Sequence, residues 1–230
     1  MYVSIPLIED IIKKVCYYGF MSEIKTYKVV TKEGTGEIVE KKSRFIGGSY
    51  IVESVEDAEK KIAEVSKKYW DARHNCYAYV IGKNSENTRC SDNGEPSGTA
   101  GKPILEVITG AGLTNTLVIV TRYFGGVLLG TGGLVRAYTQ AAQAAIAASE
   151  TGEMVYARQL TIEVAYNMIN NVKYFLEQNK ISISDPRYTE NVQYDICVKE
   201  EDKEKITEGL IQKCEGKITI TEGDAGYYLM

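Results

Sequence analysis

The residue types able to do chemistry in this chain crowd into three short blocks. The first, "DARHNC", holds the only histidine, His74, with Asp71 three residues before it to orient the ring and Arg73 beside it to meet a phosphate. The second, "CSDNGEPSGTAGKP", supplies two carboxylates, Asp92 and Glu95, and two hydroxyls, Ser91 and Ser97, in a loop that Gly94, Pro96 and Gly98 force to fold back. The third, "TRYFGGVLLGTGGLVRAYTQAA", places five glycines, from Gly125 and Gly126 to Gly133, within nine residues. A β-branched run precedes them and an alanine-rich helix follows. That is the general recipe for an anion cradle, because free N–H groups and the helix dipole converge there.

Each block also has a plainer reading. Neither the dinucleotide signature G-x-G-x-x-G with its downstream acid nor the phosphate loop G-x-x-x-x-G-K-[ST] is present, and the glycine loop has no lysine. The glycines equally suit tight turns and close helix–sheet packing. A lone histidine at an element boundary is most often a hydrogen-bonded structural residue. A hydrolytic triad of Ser97, His74 and Asp92 can be drawn, but the G-x-S-x-G elbow is missing and triads are recognised by geometry. A metal site from His74, Asp71 and Asp92 is equally drawable, and both rank below the structural reading. The sequence implies no metal and no cofactor.

Composition limits the partners. Of 230 residues, 44% are hydrophobic and 25% charged, the balance of an ordinary globular protein, and the net charge of −4 argues against an overall electrostatic grip on nucleic acid. The charge is uneven, however. Residues 1–152 carry 18 Lys and Arg against 17 Asp and Glu, whereas residues 153–230 carry 9 against 14. A polyanion would meet the first part more readily. Five cysteines, at 16, 76, 90, 197 and 214, are odd in number and lack C-x-x-C spacing, so neither a zinc ribbon nor a secreted disulfide framework is supported. A reducing cytoplasm is expected. The opening residues 1–20 carry Glu9, Asp10, Lys13 and Lys14 among their apolar positions, which excludes a spanning segment. They read as an extension upstream of a natural start at Met21, although Ile8, Ile11, Ile12 and Val15 recur at helical spacing.

The elements that must position the blocks follow from periodicity. Ile24 to Val30 and Gly36 to Ile51 read as strands. Ser54 caps a helix whose apolar stripe is Val55, Ala58, Ile62, Val65 and Tyr69, with Asp57 in the capping-box position. "CYAYVIG" is a strand, Lys83 to Gly101 a strand-free polar loop of functional length, and Lys102–Pro103 the start of a short helix. "TLVIVTRYF" is a buried strand, and a strong helix follows the glycines. Composition changes at Ser149–Gly152, which sets domains of 21–152 and 153–230. The second reads β-α-β-β-α-β: "VYARQLTIEVAY", a helix capped by Asn167, "ISISDPRYT", "NVQYDICVK", a helix and "GKITITEG". The fold class is therefore α+β in two domains.

The blocks "DARHNCYAYVIG", "SDNGEPSGTAGKPILEV" and "LVIVTRYFGGVLLGTGGLVRAYTQAA", in this order and spacing, resemble the consecutive signatures of the YigZ/Impact family, and "KKSRFIG" around Arg44 resembles its N-terminal block. The resemblance runs from about Ile24 to the end of the sequence. It implies a first domain of the ribosomal protein S5 domain 2-like fold and a ferredoxin-like second domain. Both are shaped like the terminal domains of elongation factor G, a likeness of fold and not of function. Eukaryotic members act in translational control through an additional partner-binding domain not found in these 230 residues, and for bacterial members no settled reaction is implied.

Two classes of function remain open. The first is a binding module for RNA or the ribosome, with no membrane partner, using Arg44, Arg73, Arg122 and Arg136, since a planar guanidinium bonds two phosphate oxygens at once. The second is an enzyme acting on a small phosphorylated substrate at the same cluster. The expected site residues are Arg44, Asp71, His74, Asp92, Glu95, Ser97, Arg122, Gly125, Gly126 and Arg136, converging in space.

Overall fold

The computed structural model describes residues 26–230, so the expected extension at residues 1–20 lies outside the described residues. The chain is α+β and divides into two units, Tyr27–Glu153 and Met154–Met230.

In the first unit a five-stranded sheet runs in the order β2–β3–β6–β4–β5, formed by β2 (Gly34–Glu40), β3 (Ser43–Ile51), β4 (His74–Ile81), β5 (Asn87–Ser91) and β6 (Thr116–Tyr123). A further strand, β1 (Tyr27–Lys32), is held by the Thr114 N–H, which donates to the Lys28 carbonyl at 2.9 Å. The central strand β6 is buried at nearly every position because both faces of the sheet are covered. Leu117 and Ile119 of β6, with Tyr79 and Ile81 of β4, pack under α1 (Val55–Lys68). Val118 and Val120, with Cys76, Ala78 and Val80, pack under α2 (Gly101–Gly110) and α3 (Gly130–Ala147).

Helix α1 starts where the capping signal places it: the Ser54 hydroxyl accepts from the Asp57 N–H at 3.1 Å. Helix α3 buries a face of small residues, Ala137, Ala141, Ala142 and Ala145, and the strands opposite it answer with glycine. A Cβ added at Gly47 would lie 2.3 Å from the Ala141 carbonyl oxygen. Close helix–sheet packing thus rests on strand glycines opposite the helix alanines, while Gly126 and Gly132 of the glycine-rich run have no atom within 4 Å of an added Cβ.

Three expectations need correction here. The stretch Gly36–Ile51 is two strands, because Lys41 and Lys42 both take left-handed backbone, φ 44° and 68°, and reverse the chain between Glu40 and Ser43. The polar loop Lys83–Gly101 contains a strand, β5, which pairs with β4 at the sheet edge. It is exposed along most of its length, so it carries no apolar alternation for a sequence reader to find. In the second unit the expected Asn167 cap is absent: Tyr166–Met168 form a 3-10 turn, and α4 (Ile169–Gln178) begins without a side-chain cap.

The second unit contains β7 (Glu150–Val164), which begins a few residues before the boundary, then α4, β8 (Arg187–Tyr188), β9 (Val192–Lys199), α5 (Lys203–Lys213) and β10 (Ile218–Leu229). The strand order β10–β7–β9–β8, all antiparallel, is the ferredoxin-like arrangement. Leu160, Ile162, Tyr194 and Ile196 face α4 and α5. The stretch expected as a full strand, "ISISDPRYT", contributes only the two-residue β8 and a single bridge from Ile183 to Ile196.

Candidate functional site

The register of the first sheet gathers the sequence blocks at one end. His74, the first residue of β4, lies opposite Arg122 near the end of β6, and Arg44, near the start of β3, lies opposite Tyr123. Three connections therefore meet there: the Lys41–Lys42 turn before β3, residues 69–73 before β4, and residues 124–129 after β6. They touch. A Cβ on Gly125 would fall 2.0 Å from the Lys42 carbonyl carbon, and the Tyr123 hydroxyl donates to Asp71 at 2.8 Å.

Strand alternation then sorts the side chains. Ser43, Phe45, His74, Cys76 and Arg122 share the α2/α3 face. On it the Arg122 guanidinium donates to Glu95 at 2.6 Å, and both side chains are more than nine-tenths buried. Tyr138 of α3 donates its hydroxyl to the same carboxylate at 2.8 Å. The Arg122 plane lies 5.4 Å from the Phe45 ring centroid and 5.5 Å from that of Phe124. Ser43, fully buried, accepts from the Gly125 N–H at 3.2 Å and so ties the glycine loop to this cluster. The Cys76 sulfur lies 2.9 Å from the Asp92 carbonyl oxygen and 3.3 Å from the Tyr138 hydroxyl. Burial pushes its thiol up to about 12, so it is protonated at neutral pH and inert as a nucleophile.

Asp92 is spent on backbone. Its carboxylate accepts from the N–H groups of Gly98, Ala100 and Gly101 at 2.8, 2.9 and 2.8 Å. Partial burial pushes its pKa upward, yet the three hydrogen bonds outweigh that and hold it below the ordinary carboxylate value. His74 Nδ1 meets the Asn93 carbonyl at 2.8 Å; a carbonyl only accepts, so Nδ1 carries a proton, and in the neutral ring the lone pair is on Nε2. Asp92 therefore does not orient His74 as a triad would require, and Asp71 does not either, being bound to Tyr123. The drawn triad and the drawn metal set both dissolve. Among the described residues no three His, Cys, Asp or Glu side chains are grouped as a metal would need.

The other expected residues divide. Arg44 is locked in a two-point pair with Glu37, at 2.7 and 2.8 Å, on the opposite face of the sheet from Arg122. Ser97 and Gly126 are exposed, and Arg136 is exposed on α3. The sequence reading missed Ser43 and Tyr138, which hold the cluster together, and the Lys41–Lys42 turn beside it. Tyr138 was findable, since it sits on the helical stripe Leu134, Ala137, Tyr138 and Ala141. Ser43 lies in the quoted block "KKSRFIG", but no spacing or neighbouring residue singled it out there.

The charged groups at this end differ in how far they are engaged. Lys41, Lys42 and Arg73 are exposed at this end with no ion-pair partner among the described residues, whereas Glu95, Asp92 and Asp71 are each engaged. In the second unit the sheet face away from the helices carries Gln159, Thr161, Glu163, Gln193 and Asp195, with Asp195 bound to Arg187 and Thr161, and Glu163 bound to Asn191 and Gln193. No helix among the described residues is long and apolar enough to cross a membrane.

Comparison with known proteins matches residues 41–146 to the Impact N-terminal domain and residues 162–217 to a domain of unknown function (DUF1949). IMPACT family member YvyE of Bacillus subtilis is 36% identical over 204 residues, covering 89% of this chain and 94% of that protein. IMPACT family member YigZ of Escherichia coli is 39% identical over 140 residues, 60% of this chain and 69% of that protein. Protein IMPACT of Danio rerio is 35% identical over 98 residues, 40% of this chain and 30% of that protein. A crystal structure described as that of an hypothetical protein superposes with a TM-score of 0.57 at 30% identity, covering 87% of this chain and 98% of that one.

Proposed function

This chain belongs to the Impact family, and on that premise we propose that it is a binding protein of translation-related regulation whose partner is RNA, free or in the ribosome. The observation that carries the reading is the set of exposed cations without an ion-pair partner at one end of the first sheet. Lys41, Lys42 and Arg73 stand exposed there without an ion-pair partner among the described residues, while Glu95 is paired with Arg122 and Asp92 and Asp71 are held by backbone and tyrosine hydrogen bonds. Phosphate contacts of this kind release counterions and give affinity without needing a basic protein overall. Arg122 belongs to the floor and not to the grip, because its charge is spent on Glu95. Arg44 is likewise engaged by Glu37.

A titration with ribosomes and structured RNAs at low salt tests this. Binding is expected to weaken steeply as salt rises, and Arg73→Ala or the pair Lys41→Ala, Lys42→Ala is expected to lower the salt slope by roughly 0.7 to 0.9 per lost phosphate contact. Absence of binding at low salt rejects the reading. The second reading, an enzyme acting on a small phosphorylated substrate, is favoured by one observation only: His74 Nε2 keeps a lone pair with no partner among the described residues. Turnover of a phosphorylated metabolite that is lost in His74→Gln would move the assignment there.

A further inference from the structure

The same end of the first sheet carries large apolar side chains that its own packing leaves open. Trp70, the only tryptophan of the chain, is 82% exposed where the chain leaves α1, and Phe124 is 47% exposed where it leaves β6. A tryptophan buried in a core or an interface contributes more apolar area than any other side chain. Leaving it in water forfeits that contribution. The two rings belong to connected segments, because Asp71, next to Trp70, accepts from Tyr123, next to Phe124. Phe124 is also fixed from behind by the Arg122 guanidinium, 5.5 Å from its centroid. Beside it the Lys42 carbonyl abuts Gly125. Exposed aromatic side chains and unpaired cations thus lie on connections that meet at one end of the sheet.

Resting on the RNA reading above, we infer that the RNA this surface takes is unpaired, a loop or a single-stranded stretch, with bases stacked on Trp70 and Phe124 and the backbone held by Lys41, Lys42 and Arg73. In a duplex the base faces are covered by their neighbours, so a protein reads it through grooves, 2′-hydroxyls and phosphates, and open rings contribute little. In an unpaired strand each base has a free face, and cations along the backbone complete the site. Lysine and arginine alone would suit either form; the open rings decide between them.

The single tryptophan makes the test direct. The full chain is titrated at low salt with a short single-stranded oligoribonucleotide of mixed sequence and with its blunt duplex, following tryptophan emission and the anisotropy of labelled RNA. The single strand is expected to bind more tightly and to quench Trp70. Trp70→Ala is expected to weaken single-strand binding by roughly 5- to 100-fold, the range for stacking of one base, and to leave duplex binding unchanged. Trp70→Phe, which keeps an aromatic face, restores most of it. Because Trp70 is exposed, circular dichroism should find both variants folded. Equal binding of both RNAs without quenching, and without an effect of Trp70→Ala, overturns the stacking inference and leaves the RNA reading standing. Failure of both RNAs to bind overturns both readings, and binding of the duplex without the single strand overturns the stacking inference alone.

Discussion

Arg122 shows how a residue chosen for one role in sequence performs another in space. Arginine in a motif block reads as a phosphate ligand, yet here it is the cation of a buried pair, with Glu95 and Tyr138 completing its partners. Breaking such a pair from one side leaves a lone charge in the interior. Arg122→Met is therefore expected to cost about 3 to 5 kcal/mol of stability, measured by urea unfolding. The double variant Arg122→Met, Glu95→Gln, which leaves no isolated charge, is expected to recover a large part of that. The sequence drew attention to Glu95, His74, Asp92 and Arg122 because their types are costly to bury without a partner. It could not give their roles, because the partners of His74 and Arg122 lie far along the chain, Asn93 and Glu95 at separations of 19 and 27, and those of Asp92 are backbone N–H groups that any residue could supply.

At the scale of elements, the packing of α3 on the sheet turns on Gly47. Its missing side chain lets the Ala141 carbonyl approach to a distance no Cβ tolerates, and both contacting atoms belong to backbone that cannot step aside. Gly47→Ala is expected to destabilise the first unit by about 3 kcal/mol, at the upper end of overpacking costs. Gly132→Ala, on α3 with nothing near its added methyl, is expected to change stability in the opposite direction, by up to about 1 kcal/mol. Thermal unfolding of the two variants side by side checks the contrast. The elements that were legible were those with a one-sided apolar stripe or a continuous apolar run, such as α1 and the Leu117–Val120 run of β6. The elements missed were those with no such pattern. Exposed β5 is held by its backbone ladder to β4, and two-residue β8 by its pairing with β9, and a ladder depends on the neighbouring strand and not on local residue types.

Over the whole molecule, each hydrophobic cluster is drawn from a single unit: two on the faces of the first sheet, one under the helices of the second. Cooperative unfolding follows the core, so a chain ending at Glu153 is expected to fold cooperatively by itself. Calorimetry of the full chain and of the truncated one checks this; a molten truncated product would refute it. The division into two domains was visible in composition and charge, and the family resemblance supplied the fold of each. The side on which a partner would sit was not visible, since it depends on which charges are already spent. One consequence falls on anyone who would engineer this protein. The Lys41–Lys42 turn holds two residues in left-handed backbone that Asn-Gly adopts far more cheaply, at about 1–2 kcal/mol for each ill-suited side chain. Selection for heat resistance alone would rewrite that turn first and discard two of its three free cations, so a hardened variant would emerge with its grip removed and no damage to its fold to explain the loss.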